Sequence, residues 1–415
     1  MSNAKKHTKR VLVLSRNYNN LLGMARSLAG GDYDIELVRL IQLNYKVMKV
    51  LAKSYPERAC RHIAAYHVCL TDWKADNLID FLMELYDPER ETLLIPCDDL
   101  ALPWLDEHYD DLKNYYLFSS VDGVQGKLAE LMNKQTQKHL VLDFGLPAAD
   151  SHDITIRDGK YEIPAGIGYP CFLKPAVLVM GSKDHLKRCD NQEALAKAVG
   201  AMAAKFKDLD LLVEDYIDIK KEYAILGMSA DGKVLLPDGC LQFVQGGHGS
   251  RKGIMAVGEV VSDPEILAFM GQLKSFVETL HYTGMFDVDA LASDDGIRFC
   301  EINLRFGGSG YAITKSGVNF PRMYADYMLW GKPLPEECKL DGIGKRFVSE
   351  KILLEDVTEK YISREKAQHL IENADIHFLM DKADPEPYKK VDQYFRTRAR
   401  AMMALKELYK KLRHR

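Results

Sequence analysis

The sequence predicts a protein of mixed architecture, in which an α/β part with a parallel sheet precedes an α+β part and a mostly helical C-terminal part. In the first part, short apolar runs alternate with segments of helical spacing, as in parallel strands covered by helices. In the middle, closely spaced strand candidates are joined by Gly and Asp turns, which favours hairpins. After residues 331–333 the chain is more charged and mostly helical. At about 150 residues per domain, the 415 residues predict roughly three domains, which we expect at 10–122, 123–333 and 334–415.

The composition is that of an ordinary globular protein. Hydrophobic residues make up 47% and charged residues 28% of the chain, which excludes an intrinsically disordered or fibrous protein. The 56 basic and 60 acidic residues leave a formal charge of −4, so no global field favours nucleic acid or an anionic membrane, and we expect no nucleic-acid partner. The apolar run Val11–Leu14 is too short for a signal-peptide core, and no stretch reaches membrane-spanning length. We therefore expect a soluble, cytoplasmic protein without a transmembrane segment.

The cysteines indicate neither a disulfide framework nor a zinc site. The eight cysteines contain no C-x-x-C pair. His62 and His67 are poorly aligned on one helical face, and no cysteines follow them at zinc-finger spacing. We expect buried free thiols, as is usual in a reducing cytoplasm.

In the N-terminal part, predicted strands alternate with predicted helices. The segment Cys97-Asp98-Asp99 lies at the carboxyl end of the third predicted strand, and the carboxyl ends of strands in open α/β sheets are where ligands bind. Capping of the next helix explains Asp98 or Asp99 at least as well, so both interpretations stay open. The predicted strands are Val11–Ser15, Ile35–Leu40 and Thr92–Ile95, and the predicted helices are Leu21–Ala29 and Asn77–Tyr86.

The middle of the chain is predicted to form antiparallel sheet with one long helix. The sequence Ser293-Asp294-Asp295-Gly296 is a turn between two strand candidates and predicts a hairpin. The predicted strands are Tyr169–Leu173, Leu211–Glu214, Glu222–Gly227, Lys233–Leu236, Leu241–Val244, Phe286–Leu291 and Ile297–Asn303, and the predicted helix is Ile266–Leu280.

Polar side chains interrupt the two strands of this hairpin. If the strands pair around the turn, Asp289 and Glu301 can face the same side. Because residues two apart on a strand share a face, Asn303 and Arg305 project with Glu301. Two carboxylates and a carboxamide form a hard-oxygen site of the kind that Mg²⁺ accepts alongside phosphate oxygens. Arg305 beside them is suited to neutralising a transferring phosphoryl group. A solvated strand face is the alternative, but the neighbouring positions are apolar.

Two further segments have the residue types of a nucleotide site. Lys174 ends an apolar strand, and a short loop with Ser182 and Lys183 follows, an arrangement that can lie over phosphates. The apolar strand at 211–217 runs into a polar linker whose backbone can meet an adenine edge, and the nearby Glu222 can hold ribose hydroxyls. Taken singly, each segment is more often a plain strand and turn.

These segments, in this order, resemble the ATP-grasp superfamily, which includes D-alanine–D-alanine ligase, biotin carboxylase and carbamoyl phosphate synthase. The resemblance covers residues 10 to 333, and its most specific part is the Glu-x-Asn-x-Arg motif at 301–305. Asn133-Lys134 resembles the start of a family helix that carries a phosphate-contacting lysine, and the loop at 176–183 resembles the family's flexible flap. The resemblance implies a Rossmann-like N-terminal domain, a two-lobed ATP-grasp domain with a flap subdomain at about residues 135–215, and a helical C-terminal region.

The resemblance also implies cofactors and residue roles. The cofactors are ATP and two Mg²⁺ ions, for which Mn²⁺ can substitute, and Glu301 is expected to bridge the two ions. The implied metal ligands are Asp289, Glu301 and Asn303; the phosphate contacts are Lys134, Lys174, Ser182 and Lys183; the adenine contacts are Glu214 and the backbone around Tyr216 and Ile217; the ribose contact is Glu222; and Arg305 stands next to the reacting phosphate.

The activity implied by the resemblance is carboxylate–amine ligation. A substrate carboxylate attacks the γ-phosphate of ATP, an amine then attacks the acyl phosphate, and ADP and phosphate are released. Residues 95–98 and 347–387 look most like the carboxylate–amine ligases, D-aspartate ligases among them. Two enzymatic alternatives use the same metal site: a kinase that stops after phosphoryl transfer and a carbamoyl-phosphate-synthase-like enzyme. A nucleotide-binding regulatory protein without catalysis is the alternative from another class.

The substrate side is indicated only by less regular segments. Arg251 lies in a glycine-rich loop and is a candidate for anchoring a substrate carboxylate, although a flexible turn explains this loop equally well. The backbone amides of residues 307–310 are candidates for holding the acyl phosphate, and tight packing is the alternative. The basic segment at 396–415 has one apolar stripe, which favours a helix packed on the core or on a partner in a homodimer. Binding to an anionic precursor or membrane surface is the other interpretation of that segment.

Overall fold

The computed structural model describes residues 7–42, 55–71, 75–177, 185–243 and 256–393. In these ranges the strands form three sheets. The strands are β1 (Lys9–Ser15), β2 (Asp34–Gln42), β3 (Ala65–Thr71), β4 (Glu91–Pro96), β5 (Ser120–Val121), β6 (Ser151–Ile156), β7 (Cys171–Pro175), β8 (Lys187–Cys189), β9 (Leu209–Asp215), β10 (Lys221–Ala230), β11 (Lys233–Leu235), β12 (Cys240–Phe243), β13 (Val257–Val261), β14 (Tyr282–Ser293), β15 (Gly296–Asn303), β16 (Arg346–Val348) and β17 (Ile376–His377).

Helices pack on both faces of the first sheet and on one or both faces of the others. The helices are α1 (Tyr18–Leu28), α2 (Ala75–Leu85), α3 (Ala101–Glu107), α4 (Tyr109–Leu112), α5 (Lys127–Leu131), α6 (Lys134–Phe144), α7 (Gln192–Lys205), α8 (Pro264–Glu278), α9 (Tyr311–Lys315), α10 (Phe320–Trp330), α11 (Glu350–Thr358) and α12 (Arg364–Glu372), with a 3₁₀ turn at Pro56–Ala59.

The N-terminal sheet is parallel and has the strand order β3-β2-β1-β4, so the predicted parallel sheet is confirmed. Successive residues of β1 point to opposite faces. Val13 packs in the core that contains α1, and Leu12 packs in the core that contains α2. Because β1 and β4 pair in register, with Leu14 beside Pro96, the loops that follow these strands lie next to each other. These two loops supply one wall of the site described below.

The largest sheet has nine strands, and its main path is β15-β14-β10-β12-β13-β16-β17. The predicted hairpin forms as β14 and β15, which pair antiparallel from Ser293 and Gly296 onward. β14 is longer than its sequence pattern predicts, because Tyr282 and Phe286 at its start are also buried in the core under α8. This hairpin carries Asp287, Asp289 and Glu301, which we call the acidic cluster.

A third, antiparallel sheet has the order β6-β9-β7-β8 and packs against α7 through a separate apolar core. β9 lies between β6 and β7, and Phe172 of β7 pairs with Glu214 of β9. The sequence analysis did not identify β6, whose alternating polar and apolar residues (Ser151–Ile156) are a short strand pattern. The sheet brings Lys174 and Glu214, from distant parts of the chain, into neighbouring strands.

The C-terminal region is tied to the nine-stranded sheet and to the first helix. β16 and β17 extend the nine-stranded sheet, and β17 pairs parallel to β16. The Arg26 guanidinium of α1 forms a buried ion pair with Asp384, with 3.0 Å between Nε and Oδ2. The basic segment at 396–415 lies outside the described residues.

Two expectations from the composition concern the cysteines and membrane-spanning helices. All eight cysteines are free thiols, and all but Cys300 are buried. Of the helices in the described ranges, none combines the length and the apolar character needed to cross a membrane.

Candidate active site

A bulge in the β14–β15 hairpin brings four polar side chains onto one face. Asp289 lies opposite Glu301, and Asp287 lies opposite Asn303. Past the bulge the register shifts, and Ala290 pairs with Phe299. Opposite residues, and residues two apart on one strand, project to the same side of a sheet. The structure therefore brings together the three predicted metal ligands and adds Asp287.

The sequence analysis missed Asp287, although a signal was present. It stands two residues before Asp289 in the same strand, the spacing that puts two side chains on one face. The structure also shows why residue 307 is glycine. A Cβ on Gly307 would lie 1.8 Å from Oδ2 of Asp287. At Gly307, tight packing behind the strand accounts for the glycine.

The buried carboxylates of this cluster repel one another. Burial raises the pKa of Asp287 to about 6, with Arg305 opposing the shift and Glu301 adding to it. Burial, reinforced by Asp287 and Glu301, raises the pKa of Asp289 well above its ordinary value. Oδ1 of Asp287 is buried and has no hydrogen-bond partner in the described part of the chain. A cation would therefore stabilise the ionised forms of these carboxylates.

Glu301 differs from its neighbours because lysines surround it. Burial acts to raise its pKa, but Lys134 and Lys174 outweigh burial and lower the pKa to about 2. Lys134 is the first residue of α6, and its ammonium forms a direct ion pair with Oε2 of Glu301. The side chain of Asn133 caps this helix by accepting from the backbone N–H of Gln135 at 2.8 Å. The cap holds Lys134 at the position where its side chain reaches the hairpin.

The residues present fit a magnesium site. Asp289, Glu301 and Asn303 offer carboxylate and carboxamide oxygens, which are the ligands that Mg²⁺ prefers. Among the described residues, no three His, Cys, Asp or Glu side chains form a metal-binding group by themselves. The candidate set accordingly depends on the Asn303 carboxamide as its third donor.

A buried glutamine of α6 forms hydrogen bonds with β15. The Gln137 amide donates to the carbonyl of Ile302 at 2.8 Å and accepts from the Ile302 N–H at 3.1 Å. A second donation goes to the carbonyl of Leu131 at 2.8 Å. Gln137 is 4% exposed, so these bonds are shielded from water. The sequence analysis did not identify this contact, since a single glutamine in a helix carries no signal of its partner.

Arg305 connects the hairpin to the N-terminal sheet. Its Nε lies 2.6 Å from Oδ1 of Asp99, in the loop after β4, and its Nη1 lies 3.9 Å from Oδ2 of Asp287. Burial alone would raise the pKa of Asp99, but the Arg305 guanidinium lowers it below its usual value. Asp99, which the sequence left open as a residue of a ligand-binding strand end or as a helix cap, thus contacts the candidate site through Arg305.

Asp98 combines the two interpretations left open by the sequence. Its Oδ1 accepts from the backbone N–H of Leu100 at 3.0 Å, just before α3. Its carboxylate also accepts from Nε of Arg16, at 2.9 Å and 2.8 Å for the two oxygens. Asp98 therefore organises the loop before the helix and holds Arg16 of the neighbouring loop.

A cavity of about 250 Å³ opens where these loops meet the hairpin. Two ion pairs face it, Arg16 with Asp98 and Arg305 with Asp99. Asn20 donates to the carbonyl of Cys97 at 2.9 Å, and its buried Oδ1 lacks a hydrogen-bond partner among the described residues. The lining residues are Arg16, Asn17, Asn20, Cys97, Asp98, Asp99, Arg305 and Gly308.

The third sheet supplies a buried group of two lysines and a glutamate. Glu214 Oε2 lies 2.5 Å from Nζ of Lys174, and Glu214 Oε1 lies 2.6 Å from Nζ of Lys138. The sequence analysis singled out Lys174 and Glu214 but not Lys138, which stands four residues after Lys134 on α6 and so on the same helix face. Both oxygens of Glu214 are engaged by lysines.

Of the remaining predicted nucleotide contacts, Tyr216 and Ile217 lie in the linker after β9, and Glu222 lies on β10. The backbone N–H of Tyr216 donates to the carbonyl of Pro170 at 3.2 Å, and the guanidinium of Arg188 stacks 4.3 Å above the Tyr216 ring. Ile217 follows in the same linker. Burial raises the pKa of Glu222, which stands on β10. Ser182, Lys183 and Arg251 lie outside the described residues.

Similarity to known proteins agrees with this architecture. No family model matches the chain. The chain is 23% identical over 289 residues to a D-aspartate ligase from Enterococcus faecium, a match that covers 63% of this chain and 64% of that protein. It is 35% identical over 104 residues to a D-alanine–D-alanine ligase from Bacillus velezensis, covering 23% of this chain and 28% of that protein. The matched regions span less than two thirds of the length of these relatives.

Solved structures extend the similarity over most of the chain. An ADP complex of PurK, an N5-carboxyaminoimidazole ribonucleotide synthetase, has a TM-score of 0.61 at 15% identity and covers 87% of each chain. The biotin carboxylase domain of a 2-oxoglutarate carboxylase from Hydrogenobacter thermophilus, solved with MgADP, has a TM-score of 0.59 at 16% identity and covers 81% of this chain and 73% of that one. An L-amino acid ligase from Bacillus licheniformis has a TM-score of 0.56 at 16% identity, with coverage of 80% and 76%.

The parallel sheet, the two further sheets and these similarities agree with an ATP-grasp fold. The resemblance found in the sequence is thereby confirmed. Within the superfamily, the chain is similar to carboxylate–amine ligases, represented by the D-aspartate, D-alanine–D-alanine and L-amino acid ligases.

Proposed function

We propose that the protein is an ATP- and Mg²⁺-dependent ligase that converts a substrate carboxylate to an acyl phosphate and couples it to an amine, with release of ADP and phosphate. The observation that carries the proposal is the hairpin face on which Asp289, Glu301 and Asn303 stand together, with Arg305 leading from it into the cavity. The solved neighbours that bind ADP or MgADP support nucleotide and magnesium.

The hairpin residues would hold the metal and the reacting phosphate. Asp289, Glu301 and Asn303 would bind Mg²⁺, which supplies positive charge between the phosphates and the attacking carboxylate. Arg305 stabilises the charge of the transferring phosphoryl group, and Asp99 orients its guanidinium through the 2.6 Å contact. Catalysis in this scheme consists of positioning and charge stabilisation, and no side chain acts as a covalent nucleophile.

The nucleotide lies between α6, the third sheet and β10 in this proposal. Lys134 and Lys174 contact its phosphates, together with Ser182 and Lys183 of the flap. The backbone of the linker at 214–217 meets the adenine, and Glu222 holds the ribose. The buried position of Glu222, which raises its pKa, leaves its carboxylate receptive to donors such as ribose hydroxyls.

The cavity is the site of the substrate carboxylate, and its charges favour an amino acid. In the free protein, Arg16 pairs with Asp98 and Arg305 pairs with Asp99. A ligand of one charge sign would take one member of a pair and leave the other uncompensated in a half-buried site, which is costly. A zwitterion can pair its carboxylate with the arginine and its ammonium group with the aspartate at the same time. Oδ1 of Asn20, which has no hydrogen-bond partner among the described residues, can accept from that ammonium group.

The proposal is tested by phosphate release from ATP over a panel of amino acids and other carboxylates, with and without hydroxylamine. We expect one or a few amino acids to stimulate turnover, and hydroxylamine to trap the acyl phosphate as a hydroxamate. A stable phosphorylated product, formed without dependence on an amine, would instead identify a kinase. If no carboxylate stimulates ATP turnover, the ligase proposal is wrong.

A further inference from the structure

The group formed by Lys138, Glu214 and Lys174 carries one positive charge more than its own members neutralise. Lys138 is 1% exposed, Lys174 is 4% exposed and Glu214 is 8% exposed. The single carboxylate is shared between two ammonium groups at 2.6 Å and 2.5 Å. A buried net charge is costly unless a further group of opposite sign approaches it. Glu301 is one carboxylate that acts on Lys174, and the group is suited to a further anion such as a phosphate.

The two lysines do not have equal access to such an anion. Lys174 is the last but one residue of β7. Besides Glu214, Cys300 and Glu301 of β15 act electrostatically on its ammonium group. Lys138 lies on the inner face of α6, and less than 1 Å² of its Nζ is accessible. An arriving phosphate can thus meet Lys174, while Lys138 meets only Glu214 among the partners in the described ranges.

We infer that Lys138 is a positioning residue that takes up part of the Glu214 charge and so keeps Lys174 available to the phosphates of the nucleotide. The inference rests on the proposed function, since it takes Lys174 as a phosphate contact. Without Lys138, Glu214 would pair with Lys174 alone. A one-to-one buried pair is electrically complete and attracts a further anion much less strongly.

A merely structural role for Lys138 makes a different prediction. If Lys138 only fills space and ties α6 to β9, its loss would disturb the adenosine and phosphate parts of the site together. The charge-sharing role predicts a loss confined to the phosphates, and it predicts that removing the Glu214 charge as well restores the Lys174 contact.

The experiment compares ADP and adenosine binding by calorimetry in the full-length protein. Lys138→Met keeps the length of the side chain and removes its charge. We expect Lys138→Met to weaken ADP binding about tenfold, which is about 1.4 kcal/mol, and to leave adenosine binding unchanged. The double variant K138M/E214Q is expected to recover ADP affinity. Lys113→Met, at an exposed lysine paired with Asp110, is the matched control and should behave as wild type.

Each outcome decides the inference. Wild-type ADP affinity in Lys138→Met, or an equal loss of ADP and adenosine binding, would overturn it. If Lys138→Met does not fold, Glu214→Gln and K138M/E214Q are compared instead, and equal ADP affinities support the inference while a further loss in the double variant contradicts it. Binding is measured without turnover, so a wild type that binds ADP but ligates nothing overturns only the proposed function. A wild type that binds no ADP overturns both.

Discussion

Glu301 contacts residues from two different elements of the candidate site. It lies opposite Asp289, and its carboxylate pairs with Lys134. Glu301→Gln keeps the shape of the side chain and removes the charge that pairs with Lys134 and that would bind the proposed metal ion. Because loss of one preorganised electrostatic contact costs about 100-fold or more in turnover, we expect phosphate release to fall by at least that factor, with the circular dichroism spectrum unchanged.

The matched control is Glu278→Gln, at an exposed position near the end of α8. It should retain wild-type turnover. Near-normal turnover in Glu301→Gln would show that the metal assignment is wrong. A loss of folded structure in Glu301→Gln alone would instead point to a structural ion pair with Lys134.

Gly308 is the residue that keeps the cavity open on the hairpin side. A Cβ at this position would lie 3.0 Å from Oδ1 of Asn20, tighter than an ordinary contact. Gly308→Ala should therefore press on the Asn20 wall and raise the KM for the carboxylate substrate several-fold, while the KM for ATP stays unchanged. The measurement is phosphate release with the best substrate of the panel. Gly271→Ala, on a helix with open space around it, is the control, and equal KM values for the two variants would contradict the substrate assignment of the cavity.

At the scale of elements, the hairpin shows how far the sequence alone leads. The turn at 293–296 and both strands follow from composition and turn chemistry, and they form. In a regular hairpin of that register, however, Asp289 would lie opposite Cys300, and Glu301 would point to the other face. The bulge between Asp289 and Ala290 restores the pairing of Asp289 with Glu301. No turn residue marks this bulge, so the sequence motif indicated the right cluster without the backbone feature that builds it.

The contacts of Lys134, Lys138 and Lys174 also show what the sequence alone does not predict. Lys134, Lys174 and Glu214 have local signals, since each stands at the first or the last but one position of an element. Lys138 has none, because its partner comes from β9 and only the packing of α6 on the third sheet brings the two together. Contacts between elements distant in the chain depend on tertiary packing, which periodicity does not encode.

The junction of α11 with β17 makes stability depend on pH. Glu350 is fully buried and accepts from the backbone N–H groups of Phe378 and Leu379 at 3.1 Å and 3.0 Å. Its Oε1 also lies 3.2 Å from Nδ1 of His377. The Glu350 carboxylate at this distance raises the pKa of His377 above its ordinary value, against the effect of burial.

The sign of the effect follows from this raised pKa. The folded protein binds the His377 proton more tightly than the unfolded chain, so the stabilisation is complete below the unfolded-state pKa of about 6.5 and is lost as the pH rises through the folded-state pKa. We expect the thermal midpoint of wild type to exceed that of His377→Gln most at about pH 6 and the difference to shrink toward about pH 8.5. His369→Gln, at an exposed helical position, should show no such trend. A pH-independent difference for His377→Gln would contradict this account.

At the scale of the whole molecule, the first helix and the C-terminal region form one unit. Arg26 is on α1, and Asp384 is 358 residues further along the chain. The Arg26 guanidinium also donates to the carbonyls of Phe378 and Leu379, at 2.9 Å and 3.1 Å. Asp384 in turn accepts from the backbone N–H of Arg61 at 3.0 Å. These contacts fasten the segment after β17 to the N-terminal sheet, whose loops form the cavity, so the proposed boundary near residue 334 does not separate the two ends mechanically.

Removing Arg26 tests this connection. The side chains of Arg26 and Asp384 are only 2% and 1% exposed, and breaking a buried pair by removing one partner costs about 3–5 kcal/mol. Arg26→Met should lower the free energy of unfolding by about that amount in urea denaturation, and it should speed proteolysis of the segment at 376–393. The matched change Arg157→Met removes a half-exposed guanidinium paired with Asp210 at 2.9 Å and should cost at most about 1 kcal/mol. Equal costs for the two variants would show that the buried pair contributes no more than a surface pair, and the C-terminal segment would then be held by its apolar contacts and β-pairing alone.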